Sequence, residues 1–264
     1  MKEVKSWNFG GGADLSKSPF LESLSNIGVS GQAARLGFTL AEVLITLGII
    51  GVVAAMTMPA LITKINNKGY TERLIKAYST LQNATNKIIE EEGLPSNWGW
   101  VVRGTDIDDT ANDRIIELYK NNLKVVYFCQ DSWIDDECKS MRSITYRSLN
   151  KQTATDIHSG NDIFGGYQFV LPDGVVLGFK FTVSTSGVNW GAPSALSFTV
   201  DVNGKKKPNI VGRDIFYFYL DNSTGKVLPF ISDESTNQYA NTCETNKSGH
   251  SCAYRVITEG KMNY

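Results

Sequence analysis

The sequence predicts an α+β protein in which one long N-terminal helix packs on an antiparallel sheet of about five strands. Three observations support this fold class: an uncharged run of membrane length, a helical apolar period that continues beyond it, and strand-like segments between turn residues in the C-terminal half. The chain has 264 residues, of which 42% are hydrophobic, so it is long enough for one or two folded domains with a sizeable core.

The long helix is predicted from about Phe38 to about Glu92. Residues 43–62 carry no charge, and they match the roughly 20 residues with which an α-helix crosses a bilayer core of about 30 Å. Gly93 and Pro95 then supply a stop signal. Before this stop, apolar side chains recur at three- and four-residue steps, at Tyr70, Leu74, Ala77, Tyr78, Leu81, Ala84 and Ile88. The second half of the helix is therefore amphipathic, and one of its faces should lie on a globular domain.

Strand signals dominate the rest of the chain after one more predicted helix at residues 112–126. In a first hairpin, YQFVL and VVLGFKF flank the turn PDG. In a second, SFTVDV and IFYFYL flank the longer loop NGKKKPNIVGRD, and KVLPF adds a fifth strand. The lysines Lys205–Lys207 stand beside Gly204 and Pro208 in that loop, which predicts a solvated turn.

The four cysteines form two close pairs, Cys129 with Cys138 and Cys243 with Cys252. Neither pair has the two-residue spacing of a zinc knuckle or a redox motif. Two disulfides that each close a short loop fit this spacing better, and they would persist in an oxidising compartment such as a periplasm or a cell surface. The alternative is four reduced cysteines in a cytosolic fold.

Charge and side-chain chemistry disfavour several function classes. The net charge is −1, so a broad cationic surface for nucleic acid is not expected. The two histidines, His158 and His250, lie in loop-like surroundings, and no nucleophile elbow, phosphate-binding glycine loop or metal-binding helix motif occurs. We therefore expect a protein that is not an enzyme.

Residues 37–59, GFTLAEVLITLGIIGVVAAMTMP, resemble the N-terminal signature of type IV pilins and type II secretion pseudopilins. The resemblance implies that residues 1–37 are a leader and that a prepilin peptidase cuts between Gly37 and Phe38 and methylates the new amine of Phe38. It also implies that Glu42 is the glutamate at the fifth mature position and that Pro59 is a helix-bending proline. Residues 38–63 would form the membrane-spanning and filament-core helix, and residues 64–264 the rest of the helix and an extracytoplasmic head.

Glu42 is the lone acid in this apolar run, and a carboxylate in hydrocarbon costs a few kcal/mol unless it has a partner. Cleavage after Gly37 would create that partner, because the α-amine of Phe38 is cationic at neutral pH and lies one helical turn away. In a filament the amine would meet the glutamate of its own or a neighbouring subunit, and the pair would penalise a wrong stagger. The alternative is an isolated acid that snorkels to the headgroups of a plain signal anchor.

Two sequence signals give opposite topologies. Basic residues are more frequent just after the uncharged run than before it, which by the positive-inside rule places the C-terminal part in the cytoplasm. The cysteine pairs favour the opposite arrangement. The resemblance supports the cysteines, because it implies a bacterial inner-membrane protein with a cytoplasmic leader and a periplasmic or extracellular head.

The second hairpin loop contains a weak calcium pattern. Asp201, Asn203 and Asp214 offer oxygen ligands, and Gly204 permits a sharp turn. The resemblance adds that some major pseudopilins bind calcium. The alternative is that these residues are ordinary turn formers, and no other cofactor is expected.

The expected function is that of a structural subunit of a type II secretion pseudopilus or a type IV pilus. The resemblance implies three kinds of partner: the prepilin peptidase and methyltransferase, other pilin or pseudopilin subunits, and the inner-membrane assembly machinery. One alternative is a minor tip pilin that acts as an adhesin or as a DNA- or ligand-binding module, which exposed tryptophans or a basic groove would favour. A third possibility is an ectoenzyme on a signal anchor.

Overall fold

The computed structural model describes residues 38–99, 110–130, 138, 144–150, 157–159, 166–182, 195–230 and 243–264. The predicted leader and Gly37 lie outside the described residues. The chain divides into two compact units, with the boundary between Ala55 and Met56. The architecture is α+β, with a long apolar helix near the N-terminus and a six-stranded antiparallel sheet.

Helix α1 runs from Leu40 to Glu92, close to its predicted limits. The helix ends at the predicted stop signal. Gly93 has a φ of 80°, a left-handed conformation that glycine adopts without steric cost, and its N–H donates to the carbonyl of Ile89. A short 3₁₀ turn, Pro95–Asn97, comes next. The indole N–H of the buried Trp98 donates to the Gly93 carbonyl at 2.9 Å, which fixes the chain leaving the helix.

The amphipathic half of α1 buries the predicted face in the head. The buried apolar side chains of this half are Leu74, Ala77, Leu81, Ala84 and Ile88. Beside them, Tyr78 stacks on Phe218 of the sheet with 5.5 Å between ring centroids. The buried hydroxyl of Thr85 bonds to that of Tyr119 at 2.9 Å. The period of apolar residues therefore predicted correctly which side of the helix meets the core.

Helix α2 spans Thr110–Asn122, so the predicted limit at residue 126 was wrong. The last helical bond of this region joins the Leu123 N–H to the Tyr119 carbonyl, and the Val126 N–H already donates to the Val170 carbonyl of the sheet. The segment after α2 thus satisfies its backbone groups in a ladder rather than in a helix. The β-branched Val125 and Val126 suit that extended conformation.

All neighbouring strands of the main sheet are antiparallel, and they lie in the order β1 (Tyr127–Gln130), β4 (Tyr167–Val170), β5 (Val176–Thr182), β6 (Ala195–Asp201), β7 (Ile215–Leu220) and β8 (Val227–Pro229). Both predicted hairpins are present, as β4–β5 and β6–β7, and the KVLPF strand is β8. The sheet has six strands rather than about five because β1 pairs with β4.

The described part of the head contains two further elements. A second sheet pairs β2 (Thr145–Arg147) with β3 (Ile157–Ser159). His158 therefore lies in a strand, whereas the sequence analysis expected a loop. A short helix, α3 (Cys252–Glu259), was not predicted. It ends at Gly260, which has a φ of 67°, and it buries Cys252, Ala253 and Val256 in the main core.

Candidate functional site

The start of α1 holds the lone acid of the apolar run in a reciprocal set of hydrogen bonds. The N–H and the hydroxyl of Thr39 both donate to one carboxylate oxygen of Glu42, each at 2.8 Å. In return, the Glu42 N–H donates to the Thr39 hydroxyl at 3.2 Å. This is a capping box, in which the residue before the helix and the third helical residue satisfy each other's backbone donors.

Thr39 is the functional residue that the sequence analysis missed. The pattern Thr-x-x-Glu before an apolar run was a sufficient signal for it. Among the described residues, the other carboxylate oxygen of Glu42 has no hydrogen-bond partner. Phe38 directly precedes the capping residue, and its side chain is 85% exposed.

The apolar half of α1 is exposed over its whole length. By length and composition, helix α1 could cross a membrane. Its most apolar window has a mean hydropathy of 2.2, and none of that window is buried. The exposed large apolar side chains between Phe38, just before the helix, and Ile65 show between 41% and 85% of their surface. Such a surface needs lipid or other helices around it. This gives limited support to the predicted membrane association.

Pro59 lies inside α1, which continues through it. Proline has no N–H to donate to the carbonyl four residues earlier, which here belongs to Ala55. The boundary between the two compact units falls directly after Ala55. The Pro59 carbonyl accepts a bond from the Thr63 hydroxyl at 2.9 Å.

Both predicted disulfides are present, one joining Cys129 to Cys138 and the other joining Cys243 to Cys252. All four cysteines are buried. The first bridge begins in β1, the strand that the sequence analysis missed. The second ties the first residue of α3 to the segment before it, and the Arg255 guanidinium donates to the Cys243 carbonyl at 3.1 Å.

The β6–β7 loop brings together the three residues that were candidate calcium ligands. One Asp201 oxygen accepts the N–H groups of Asn203 and Gly204, at 3.0 and 2.8 Å. The two oxygens of Asp214 accept the N–H groups of Asn209 and Ile210, at 2.8 and 2.6 Å. Each carboxylate therefore holds one arm of the loop by its backbone.

Gly204 is required where this loop passes the neighbouring hairpin. Its φ is 62°, and a Cβ at this position would lie 2.9 Å from the Gly174 carbonyl oxygen. Any other residue would combine a strained backbone with a steric clash.

Both carboxylates are completely buried. Burial raises the pKa of Asp214 to about 6 against the bonds from Ile210 and Asn209, which lower it. Burial, with the nearby charge of Asp214, raises the pKa of Asp201 well above its usual value. The Tyr146 hydroxyl donates to Asp201 at 3.5 Å, and burial raises the pKa of this phenol too. The loop thus keeps two interacting acids out of water.

This loop contains oxygen atoms of the kind that bind calcium. Besides the two carboxylates, the amide oxygens of Asn203 and Asn209 are buried and have no hydrogen-bond partner among the residues that the structure describes. However, backbone donors already occupy Asp201 and Asp214, and the described part of the chain contains no group of three or more His, Cys, Asp or Glu side chains that would hold a metal. Calcium binding at Asp201, Asn203 and Asp214 stays a prediction.

The loop is anchored on α1 shortly after the apolar run. The Asn203 amide group donates to the Tyr70 hydroxyl and to the Lys207 carbonyl, at 3.4 and 3.2 Å. The Arg73 guanidinium donates to the Val202 carbonyl at 3.1 Å. The side chains of Lys205–Lys207 are exposed, as the prediction of a solvated turn required.

Aromatic and histidine side chains give no sign of a ligand site in the described residues. Trp98 is buried, whereas Trp100, Trp133 and Trp190 lie outside the described part. His250 stacks on Tyr217 with 5.3 Å between ring centroids, and its Nδ1 bonds to a serine hydroxyl. These contacts stabilise the head.

Comparison of the chain with protein families, with characterised proteins and with solved structures gives no match.

Proposed function

We propose that this protein is a structural subunit of a type II secretion pseudopilus or a type IV pilus, stored in the inner membrane and assembled through its N-terminal helix. The observation that carries this proposal is the apolar half of α1, which is exposed throughout and begins at a capped glutamate. A helix of this kind joined to a disulfide-bonded α+β head suits a subunit that moves from lipid into a bundle of like helices.

Assembly in this scheme replaces lipid contacts of α1 by contacts with neighbouring helices. Cleavage between Gly37 and Phe38 exposes an α-amine one residue before Thr39. The capping box holds Glu42 by one carboxylate oxygen, so the other oxygen faces no competing donor among the described residues. An amine from the same or a neighbouring subunit satisfies that oxygen, and a stagger that leaves the acid unpaired in an apolar bundle is penalised.

The processing and topology follow from the same scheme. The protein is a substrate of the prepilin peptidase and methyltransferase, and its other partners are like subunits and the inner-membrane assembly machinery. The leader lies in the cytoplasm and the head lies in the periplasm or outside the cell. The two disulfides support this side for the head, because such bonds persist in oxidising compartments.

The test is the N-terminal mass of the protein purified from cell envelopes that contain an active prepilin peptidase. We expect the wild-type chain to begin at a methylated Phe38. Gly37→Ala should accumulate as the uncut precursor, because a side chain at the cleavage position blocks the peptidase. The matched control Gly31→Ala, a glycine within the same proposed leader, should be processed normally. Normal processing of Gly37→Ala, or a wild-type chain that keeps residues before Phe38, would contradict the proposal.

A further inference from the structure

A pocket of about 300 Å³ lies in the second unit, beside the turn of α1 that follows the apolar run. Thr63 and Asn67 of α1 form one wall, and Ile210 and Arg213 of the β6–β7 loop form another. Met262 and Tyr264, which follow α3 in the chain, also line it. The Tyr264 hydroxyl donates to the Gly212 carbonyl, which ties this C-terminal segment to the loop.

Arg213 gives the pocket its charge. Among the described residues of the lining, it is the one with a charged side chain, and it is half-buried. Within the described residues no carboxylate lies within 4 Å of its guanidinium. A guanidinium held in a concave site without an acidic partner suits an anion, and its planar fork matches the geometry of phosphate.

Asn67 supplies the second feature of the site. Its side-chain oxygen is buried and has no hydrogen-bond partner in the described part of the chain. An acceptor of this kind suits a ligand that carries a hydrogen-bond donor close to its anionic group. The pocket therefore matches a phosphate with an attached ammonium or hydroxyl, and the side chains of Ile210, Leu149 and Met262 add an apolar part to the lining.

The position of the pocket along α1 indicates where such a ligand would come from. Thr63 directly precedes Lys64, the first charged residue after Glu42, and Asn67 lies one helical turn beyond Thr63. In the membrane-spanning arrangement proposed above, this turn stands at the depth of the lipid headgroups. Lys64 and Lys68 on the same turn add positive charge, although Lys68 also pairs with Glu72 at 3.9 Å.

We propose that this pocket binds the headgroup of a membrane phospholipid, with the phosphate on Arg213 and the headgroup donor on the side-chain oxygen of Asn67. Phosphatidylethanolamine has both groups. The site would hold the base of the head against the leaflet while the subunit is stored in the membrane. The role in storage rests on the proposed function, but the binding itself does not need cleavage or assembly.

The experiment is native mass spectrometry of the full chain in a non-ionic detergent, with dihexanoylphosphatidylethanolamine, inorganic phosphate and dihexanoylglycerol as separate probes. We expect retention of the phospholipid, at least tenfold weaker binding of phosphate, and no retention of the diacylglycerol. Arg213→Gln should reduce phospholipid binding about tenfold or more, and Arg213→Lys should restore part of it. Asn67→Ala should weaken phospholipid binding about two- to tenfold.

The matched control is Lys226→Gln, which removes an exposed cation from the turn between β7 and β8. That turn meets α1 at Gln82, whose amide donates to the Gly225 carbonyl, well away from Asn67 along the helix. Near-ultraviolet circular dichroism checks that each variant is folded. Equal binding of phosphate and phospholipid would reduce the site to a simple anion site, and unchanged binding by Arg213→Gln would overturn the proposal.

The two proposals fail separately. An uncut Gly37→Ala precursor that still retains the phospholipid leaves both in place. A wild-type chain that is never cleaved but retains the phospholipid contradicts the filament subunit alone. Normal processing and assembly without phospholipid binding contradicts the pocket alone.

Discussion

The two carboxylate oxygens of Glu42 have different surroundings. One carboxylate oxygen caps α1 through Thr39, and the other has no partner among the described residues. The cap is a local contact that forms in a single chain. In the proposed function, the ion pair with an α-amine would form only after cleavage and, between subunits, only in an assembly.

This division gives the first prediction at the residue scale. Glu42→Gln keeps a side chain that can accept the Thr39 bonds but removes the charge, so membrane insertion should be normal and filament yield should fall about tenfold or more. Thr39→Ala removes the cap, worth about 0.5–2 kcal/mol, and keeps the charge, so its filament yield should fall less. Filament counts by electron microscopy and membrane fractionation measure both. Normal filament yield from Glu42→Gln would contradict the ion-pair mechanism.

Asp214 gives a second prediction, on pH. Its folded pKa of about 6 lies above the usual 3.8, so the folded protein binds more protons than the unfolded chain between these values. Its contribution to the free energy of unfolding is therefore fully present below about pH 4 and is lost as the pH rises through 6, by on the order of 3 kcal/mol. The stability difference between wild type and Asp214→Asn should shrink from about pH 4 to about pH 7, as measured by denaturation in EDTA.

The matched control for this titration is Asp221→Asn. Hydrogen bonds from Ser223 and Thr224 lower the pKa of Asp221, so its contribution is present at neutral pH and is lost as the pH falls. The two variants should therefore give pH trends of opposite sign.

Calcium added at neutral pH in place of EDTA tests the metal prediction on the carboxylates of Asp201 and Asp214. Binding requires a higher melting temperature for wild type and no rise for Asp214→Asn, and an unchanged wild-type value would contradict it.

At the scale of elements, α1 is one helix with two different surroundings. In its amphipathic half, neighbouring residues have opposite environments: Leu74 is completely buried and Ile75 is 39% exposed. The apolar period predicted this difference, since only one face of the helix meets the sheet and α2. The same period could not say what surrounds the other half, whose side chains are exposed on all sides.

Leu74→Ala should lower the free energy of unfolding of the head by about 2–5 kcal/mol, because it removes buried methyl groups and leaves a cavity. Ile75→Ala is the matched control on the same turn and should cost less than about 1 kcal/mol. Denaturation of both variants in a mild detergent, followed by near-ultraviolet circular dichroism, measures the difference. Similar losses in the two variants would show that the buried face is assigned wrongly.

Two of the elements that the sequence analysis missed, β1 and α3, are fixed by distant partners. The sequence of the segment after α2 is compatible with a helix or a strand. It forms strand β1 because it pairs with β4. Helix α3 is short, and its Cys252, Ala253 and Val256 gain stability from burial in a core built by other elements. Neither contact is visible in the local pattern of residues.

For the whole molecule, the main question is the side of the membrane on which the head lies. The positive-inside rule favours the cytoplasm, whereas two buried disulfides favour an oxidising compartment. Alkylation of protein that is unfolded directly on cell lysis, without reductant, separates the two arrangements, because unfolding exposes the four buried cysteines. We expect no cysteine to be alkylated until a reductant is added to the unfolded protein, and alkylation of all four without reductant would place the head in the cytoplasm.

The sequence by itself determined the features that depend on periodicity and on near neighbours: the limits of α1, its buried face, the two hairpins and the pairing of the cysteines. It also contained the Thr39–Glu42 cap, because a capping box spans only one helical turn. The tertiary structure alone decided the sixth strand, the complete burial of Asp201 and Asp214, and the pocket at Arg213. The physical reason is that burial and strand pairing depend on residues far apart in the chain, and only the folded chain brings them into contact.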